Sequence, residues 1–401
     1  MSLFKIGFLP LVDAVLPVVA HEFGLAKAEG ISIEMVRDAS WATVRDRLIY
    51  GQTDAAHLLA PLAIATSMGL DRPAVPLAAP FMLGLNGNAV TVTPHLAAKL
   101  AGNAEIAATG RRLATLARAQ AENGRKLRFA VVHRYSSHNY MLRYWLAASG
   151  CDPDRDVEIV VVPPPFVAEA LGSGEIDGSC VGEPWSSVAV ERGVGVIIAA
   201  TTHIWRRGVE KLLALRTSTL DERRDDVAAL IRALHTAGKV VIDPAQRTAV
   251  ATLLARPDYI GQPPEIIERA LSNRLAREQG APPSEVDDFL VLHREAANFP
   301  WRSQAMWLYS QMVRWGHAPF SQDGFDAAAA VFRPDIYRAA LAGTDAILPG
   351  ASAKVEGAIA EPTGAGSVSG RLILGPDRFF DGRPFDPDRA AAYLGFHEGS
   401  A

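Results

Sequence analysis

The chain has 401 residues, of which 49% are hydrophobic and 21% charged, and its formal net charge is −4. This length accommodates two or more domains, and the composition is that of a globular rather than a disordered protein. Because there is no block of basic residues, we exclude direct nucleic-acid binding over a broad surface. The two cysteines, Cys151 and Cys180, lack metal-ligand spacing and are predicted to be buried thiols.

Strands and helices alternate in the first third of the chain, which predicts an α/β lobe with a mainly parallel sheet. The first strand, Phe4–Phe8, has no leader-like segment before it, and no apolar run approaches the ~18 residues that span a bilayer. We therefore expect a cytoplasmic protein without membrane contact; a trimmed leader is the alternative. The other predicted strands are Ile31–Val36, Ala55–Leu59, Val75–Ala79 and Asn88–Val92, and the helices are Ala14–Phe23, Thr43–Tyr50, Pro61–Met68 and His95–Asn123.

The alternation begins again after Gly124 and predicts a second, smaller lobe. Its strands are Leu127–Val132, Val157–Val162, Gly178–Val181 and Val194–Ala199, and its helices are Asn139–Ala148, Phe166–Leu171 and Ser186–Arg192. The strand Leu212–Leu215 then returns to the first lobe. The helices that complete that lobe are Asp221–Val241, Asp243–Ala255, Pro264–Leu271, Pro283–Ala297, Ser303–Trp315 and 324–342.

The predicted fold class is therefore α/β, with two lobes and a ligand cleft between them. Residues 1–124 and 206–345 form lobe 1, and residues 125–205 form lobe 2. Residues 346–401, rich in Gly, Pro, Ser and Ala, form an extended C-terminal arm on the surface. Two crossovers between the lobes would let the cleft close by a hinge motion.

A strand-to-helix turn at Val181-Gly182-Glu183-Pro184-Trp185 is the first candidate for a binding site. Pro184 suits the first helical turn, where its missing N–H costs nothing. Free backbone N–H groups at such a turn favour an anion. Ligands of α/β proteins bind at the carboxyl ends of strands, so this turn would form one wall of the cleft.

Four side chains at predicted strand ends suit the same anion. Trp41 can donate through its indole N–H and Asn88 through its amide. His138 lies near a predicted helix N-terminus, and Lys211 supplies a positive charge where the chain crosses between lobes. The structural alternatives are packing between the lobes for Trp41, turn chemistry for Asn88, a structural role for His138 and a solvated Lys211.

Glu183 would repel an anion unless it has another role. We predict that it accepts hydrogen bonds from Lys211, His138 or Trp41 and orients them, or that it is protonated beside the anion. No nucleophile elbow, phosphate-binding loop, His-Glu-x-x-His or Cys-x-x-Cys motif occurs. We therefore expect a binding protein rather than an enzyme, without catalytic residues, metal or cofactor.

Six short segments carry a family resemblance: Leu85–Val92, Arg143–Gly150, Val161–Pro165, Val181–Trp185, Trp205–Lys211 and Met312–Gly316. In this order, over residues 4–345, they are similar to the nitrate- and bicarbonate-binding branch of the solute-binding proteins (NrtA/CmpA-like). The resemblance implies the periplasmic-binding-protein fold of the second type. It also implies an anion pocket of Trp41, Asn88, His138, Gly182, Glu183 and Lys211, with Asn88 where nitrate binders commonly have Gln.

The resemblance also suggests a ligand and a partner. His138 with Lys211 favours nitrate or nitrite over bicarbonate, and no acidic cluster is present for the calcium that bicarbonate binders use. Without a leader, and with an arm segment Phe380–Pro387 similar to theirs, the chain most resembles the cytoplasmic NasS-type nitrate/nitrite sensors. This implies that the anion releases an ANTAR-type RNA-binding antiterminator (NasT-like) and so induces nitrate-assimilation genes.

Two alternatives remain at this stage. One is the substrate-binding component of an ABC-type transporter for nitrate or a related small anion. The other is an enzyme like the pyrimidine-synthesising relatives of this fold, which is disfavoured because their Cys-rich iron motif is absent.

Overall fold

The computed structural model of the chain describes residues 1–100 and 105–398, and it confirms a two-lobed α/β fold. The predicted helix 95–123 crosses residues 101–104, and the predicted arm includes residues 399–401; both segments lie outside the described residues. Within the described ranges, no helix is both long and apolar enough to cross a bilayer.

The strands and helices follow in chain order. The strands are β1 Ser2–Phe8, β2 Ile31–Arg37, β3 Ala55–Leu59, β4 Leu77–Met82, β5 Leu85–Asn86, β6 Asn88–Val92, β7 Leu127–Val131, β8 Val157–Val161, β9 Gly178–Gly182, β10 Val196–Ala200, β11 Lys211–Arg216, β12 Arg274–Leu275, β13 Ser284–Glu285, β14 Leu290–Val291, β15 Leu348–Pro349, β16 Thr363–Ala365, β17 Ser367–Ser369 and β18 Leu372–Leu374. The helices are α1 Val15–Glu22, α2 Leu25–Ala28, α3 Trp41–Ile49, α4 Ala60–Met68, α5 Pro94–Leu100, α6 Ile106–Glu122, α7 Ser137–Ala148, α8 Val167–Gly172, α9 Trp185–Glu191, α10 Thr217–Glu222, α11 Arg224–Ile242, α12 Arg247–Leu254, α13 Pro264–Leu271, α14 Arg302–Arg314, α15 Gln322–Val331, α16 Pro334–Leu341 and α17 Ala390–Glu398.

The sheet of lobe 1 has the strand order β2-β1-β3-β11-β4. β1 pairs in parallel with β2 and β3, whereas β11 runs antiparallel to both of its neighbours. Helices cover both faces, so β3 and β4 are buried along their whole length. In this arrangement Lys211, the first residue of β11, lies opposite Leu59 at the end of β3.

The sheet of lobe 2 has the strand order β10-β6-β9-β7-β8. β6 lies between β10 and β9 and is antiparallel to both. Residues 88–92 therefore belong to lobe 2, which corrects the predicted boundary at residues 124 and 125. The alternation of polar and apolar residues identified β6 as a strand but carried no information on which sheet it joins.

The two crossovers between the lobes are hydrogen-bonded to each other. The Asn86 N–H donates to the carbonyl oxygen of Gly208 at 2.9 Å, and its side-chain amide donates to Arg206 at 3.0 Å. Asn86 and Gly87 have φ values of 59° and 88°, a conformation that Asn and Gly adopt more readily than other residues. This pairing brings the start of β6 beside the start of β11.

One predicted helix is wrong. Residues 283–297 form the short strands β13 and β14 and a 3-10 turn at Arg294–Ala296 instead of a helix. β14 pairs with β5 at the crossover, and Asp288 binds Arg206 and Arg207. These long-range contacts outweigh the local helical pattern of the segment.

The C-terminal arm is also not the loosely packed surface segment that its composition predicts. Phe379 stacks on Trp205 with ring centroids 4.8 Å apart and lies 5.5 Å from Trp307. Tyr144 of α7 donates to both Asp381 carboxylate oxygens at 2.9 Å. The arm thus packs on the crossover and on a helix of lobe 2, and its described part ends in α17.

We expect Phe379→Ala to lower the free energy of unfolding by about 3–5 kcal/mol, because it removes a buried ring from this aromatic cluster. Urea denaturation followed by circular dichroism measures the change. Val368→Ala is the matched control on the same arm, since Val368 is exposed and should change stability by about 0.5 kcal/mol or less. Equal effects of both substitutions would mean that the arm does not stabilise the fold.

Candidate functional site

Helix N-termini and strand ends bring the predicted site residues together. Ser40 caps α3 by accepting a hydrogen bond from Thr43, which places Trp41 at the first helical position. Ser136 caps α7 in the same way and places His138 in its first turn. With β6 and β11 meeting at the crossover, Trp41, Asn88, His138 and Lys211 are at most 2% exposed, so the lobes are closed over them.

Lys211 is the cation of the site. Its Nζ lies 2.8 Å from Asp13 Oδ2 and 3.2 Å from Glu210 Oε1. Burial disfavours its charge, but the two carboxylates outweigh this effect and raise the pKa of Lys211. The same ammonium, together with His57, lowers the pKa of Asp13 against the opposing effect of burial. Lys211 is therefore permanently charged, which contradicts the alternative of a solvated lysine.

Glu210 links this cation to lobe 2. Its carboxylate accepts hydrogen bonds from the Asn88 amide and the Ser137 hydroxyl. His138 Nε2 lies 3.8 Å from Glu210 Oε2. Burial lowers the pKa of His138 to about 4, so its imidazole is neutral at pH 7 and one ring nitrogen is an N–H donor.

Gly182 lies directly opposite Asn88 in the pairing of β9 with β6. A Cβ atom added to it would lie 3.2 Å from both Asn88 Oδ1 and Leu11 Cδ2, and 3.8 Å from His138 Nε2. The absence of a side chain thus lets the strand end approach the polar groups of the site closely. Gly182 therefore contributes close packing at the strand end rather than a side-chain contact.

Trp41 lies on the lobe 1 side of the site. Its ring centroid is 5.7 Å from Lys211 Nζ and 5.3 Å from the ring of His57. The Trp41 indole N–H has no hydrogen-bond partner although it is buried, and both ring nitrogens of His138 also lack one. Because buried donors are usually hydrogen-bonded, these groups are candidates to donate to a ligand.

Glu183 does not accept hydrogen bonds from Lys211, His138 or Trp41, but burial raises its pKa to about 7, which favours the protonated form that was the other prediction. Its Oε2 accepts a hydrogen bond from the Ser187 N–H at 3.3 Å, and its own N–H donates to the Gly87 carbonyl oxygen at 3.1 Å. These bonds occupy the N–H groups of Glu183 and Ser187, while an anion contact of the turn stays a prediction. Glu210, rather than Glu183, accepts hydrogen bonds from the donors of the site.

Four site residues were missed by the sequence reasoning: Asp13, His57, Ser137 and Glu210. Glu210 precedes Lys211 directly, and His57 is the one polar residue of the apolar strand β3, so both had a recognisable signal. Asp13 had none, since its contact with His57 at 2.9 Å joins two distant parts of the chain. For the residues that the structure describes, no group of three or more His, Cys, Asp or Glu side chains is arranged to hold a metal ion.

Residues 2–255 match the model of the NMT1-like family. The chain belongs to this family. The crystal structure of the periplasmic nitrate-binding protein NrtA from Synechocystis PCC 6803 has the same fold, with a TM-score of 0.87 and 25% identity over 98% of both chains. This likeness includes the two lobes and extends over the arm.

The curated proteins that are similar to this chain in sequence include proteins of nitrate import. The nitrate/nitrite binding protein NrtA of Synechococcus elongatus is 29% identical over 97% of this chain and 84% of its own length. The nitrate import ATP-binding protein NrtC of Synechocystis is 32% identical over 83% of this chain. The chain spans about half the length of NrtC, with 49% of that protein covered.

Glu183 should make stability depend on pH. Burial raises its pKa to about 7 from an ordinary 4.5, so the folded state binds the proton more tightly than the unfolded state. Its contribution to the free energy of unfolding therefore falls as the pH rises from about 4.5 to 7. We expect Glu183→Gln to match the parent near pH 4 and to exceed it by about 3 kcal/mol at pH 8.

Urea denaturation at both pH values checks this expectation. Glu158→Gln, which removes an exposed carboxylate of β8, is the control and should show no difference between the two pH values. A Glu183→Gln protein that is less stable than the parent at pH 8 would contradict the raised pKa of Glu183.

Proposed function

We propose that the chain binds nitrate or nitrite between its two lobes and is not an enzyme. The observation that carries the proposal is the set of buried donors without partners, the Trp41 indole N–H and the His138 imidazole, beside the Lys211 ammonium. A small planar anion offers acceptors in several directions and no donor, which suits this set. A side chain at position 182 would approach Asn88 and His138, two of the polar groups of this set.

The relatives support the same ligand class. NrtA of Synechococcus elongatus is named as a nitrate/nitrite binding protein, and the structurally similar NrtA is described as nitrate-binding. Bicarbonate transport proteins are also among the relatives, at 29% identity. The relatives that this chain covers over most of their own length, 84% and 98%, are named for nitrate or nitrite. We therefore favour nitrate or nitrite.

Trp41→Phe tests the ligand and the site together. It removes one N–H while keeping the aromatic packing, and we expect nitrate affinity to fall by about tenfold to a hundredfold, as for a lost hydrogen bond to a charged group. Isothermal calorimetry with the purified protein measures the affinity.

Trp307→Phe is the matched control, because the Trp307 N–H already donates to Tyr393 at 3.2 Å and lies in the arm contact. It should leave nitrate affinity unchanged. Absence of heat with nitrate and nitrite, together with binding of an organic ligand by the parent, would refute the proposed ligand. Equal affinities of the parent and Trp41→Phe would refute the Trp41 contact.

We further propose that the output of binding is regulatory: the chain is a cytoplasmic sensor whose complex with an ANTAR-type antiterminator dissociates when the anion binds. What supports this is the enclosed site, since an anion can enter only if the lobes part and can stabilise only the closed form. A partner that holds the lobes apart would be released by closure. The second candidate is the substrate-binding component of an ABC-type nitrate transporter, which the names of the relatives favour.

Titrating nitrate into a complex of the chain with the candidate antiterminator distinguishes the regulatory function from the transport function. We expect nitrate at saturating concentration to dissociate the chain from the candidate antiterminator in size-exclusion chromatography. The Trp41→Phe protein should require about tenfold more nitrate, in line with its affinity. Failure to form a complex, combined with nitrate-dependent stimulation of a reconstituted permease, would favour transport instead.

A further inference from the structure

The Glu210 carboxylate already contacts side chains that are proposed to bind the anion. The Asn88 amide donates to Glu210 Oε2 and the Ser137 hydroxyl to Oε1, while Lys211 Nζ lies 3.2 Å from Oε1. His138 Nε2 lies 3.8 Å from Oε2. The structure thus contains a planar carboxylate, 1% exposed, among the donors of the site.

The charged and titratable side chains around Glu210 come from every element packed against it. They are Lys211 of β11, His138 of α7, Cys180 of β9, His57 of β3 and Asp13 of the turn after β1. Two carboxylates therefore face one ammonium. Burial raises the pKa of the Cys180 thiol, so it stays neutral.

A bound anion would add negative charge to this group of two carboxylates and one ammonium. The Lys211 ammonium already faces both carboxylates and the His138 imidazole is neutral, so a bound nitrate would add a further negative charge that neither group offsets. Such a charge is costly unless it is paired. A proton from solvent is the smallest group that can compensate for it.

His138 is the side chain placed to take this proton. Lys211 already carries its proton, and Asp13 is held as a carboxylate by Lys211 and His57. His57 is already paired with Asp13 through Nε2 at 2.9 Å. Both nitrogens of His138 lack hydrogen-bond partners, and one of them faces Glu210. As an imidazolium it would donate to Glu210 on one side and to the anion on the other.

We propose that Glu210 is a positioning residue that couples binding of the anion to the uptake of one proton by His138. This inference rests on the proposed anion-binding function. Before binding, Glu210 holds Asn88, Ser137 and Lys211 in place for the ligand. On binding, the negative charges of Glu210 and of the anion together make the protonated form of His138 the favoured one, and the proton comes from solvent without any other covalent bond being made or broken.

Calorimetry with nitrate in two buffers of different ionisation enthalpy, Hepes and Tris, counts the protons taken up per anion. For the parent protein at pH 7 we expect about one proton, and the affinity should fall about tenfold per unit rise in pH. Glu210→Gln keeps the size of the side chain and removes its charge. We expect it to take up no proton and to bind nitrate with little dependence on pH.

Glu356→Gln is the matched control. Glu356 is a buried glutamate that also contacts a lysine, Lys354, and a serine, Ser303, but it belongs to the contact of the arm with α14. Its substitution should leave proton uptake at the parental value. His138→Gln is the second variant, and it too should bind without proton uptake, whether or not Glu210→Gln folds.

The calorimetry distinguishes failure of the proton coupling from failure of the proposed anion binding. Nitrate binding by the parent without proton uptake overturns the inference, as does parental uptake in Glu210→Gln or in His138→Gln. Absence of nitrate and nitrite binding by the parent instead refutes the proposed function. Proton uptake that is lost in both site variants and kept in Glu356→Gln supports the coupling.

Discussion

The buried ammonium of Lys211 is the interaction on which the site depends. It pairs with Asp13 from the turn after β1 and with Glu210 from the crossover, at 2.8 and 3.2 Å. Without it, two carboxylates would lie unpaired in an enclosed space, which is among the more costly arrangements in a protein interior. Glu210 in turn holds Asn88 and Ser137, so the charge of one lysine in lobe 1 also orders donors in lobe 2.

The pair of hydrogen-bonded crossovers is the second constraint, because it determines where the start of β6 meets the start of β11. The two crossovers are bonded through Asn86, and the stack of Trp205 on Phe379 packs the arm against one of them. The arm also holds Tyr144 of α7, the helix whose first turn carries His138. The crossover, the arm and α7 are thus packed together outside the candidate site.

This arrangement also explains how a family with one fold can bind different small anions. In the proposed site, the donors Trp41 and His138 would face the acceptors of the ligand, while the carboxylates would set the charge of its surroundings. A change in any of these side chains alters the preferred ligand without altering the lobes. Function in this family is thus determined by a few residues at the ends of strands.

The amino-acid sequence alone determined the alternation of strands and helices, the two lobes, and the set of Trp41, Asn88, His138 and Lys211, because periodicity and strand-end position are local properties. Only the tertiary structure assigned β6 to lobe 2, removed the helix predicted at 283–297 and placed Glu210 rather than Glu183 among the donors. Those outcomes depend on which strands pair and on contacts such as Asp13 with Lys211, between residues almost 200 positions apart. A local sequence pattern cannot predict such contacts, because the two residues meet only when the chain has folded.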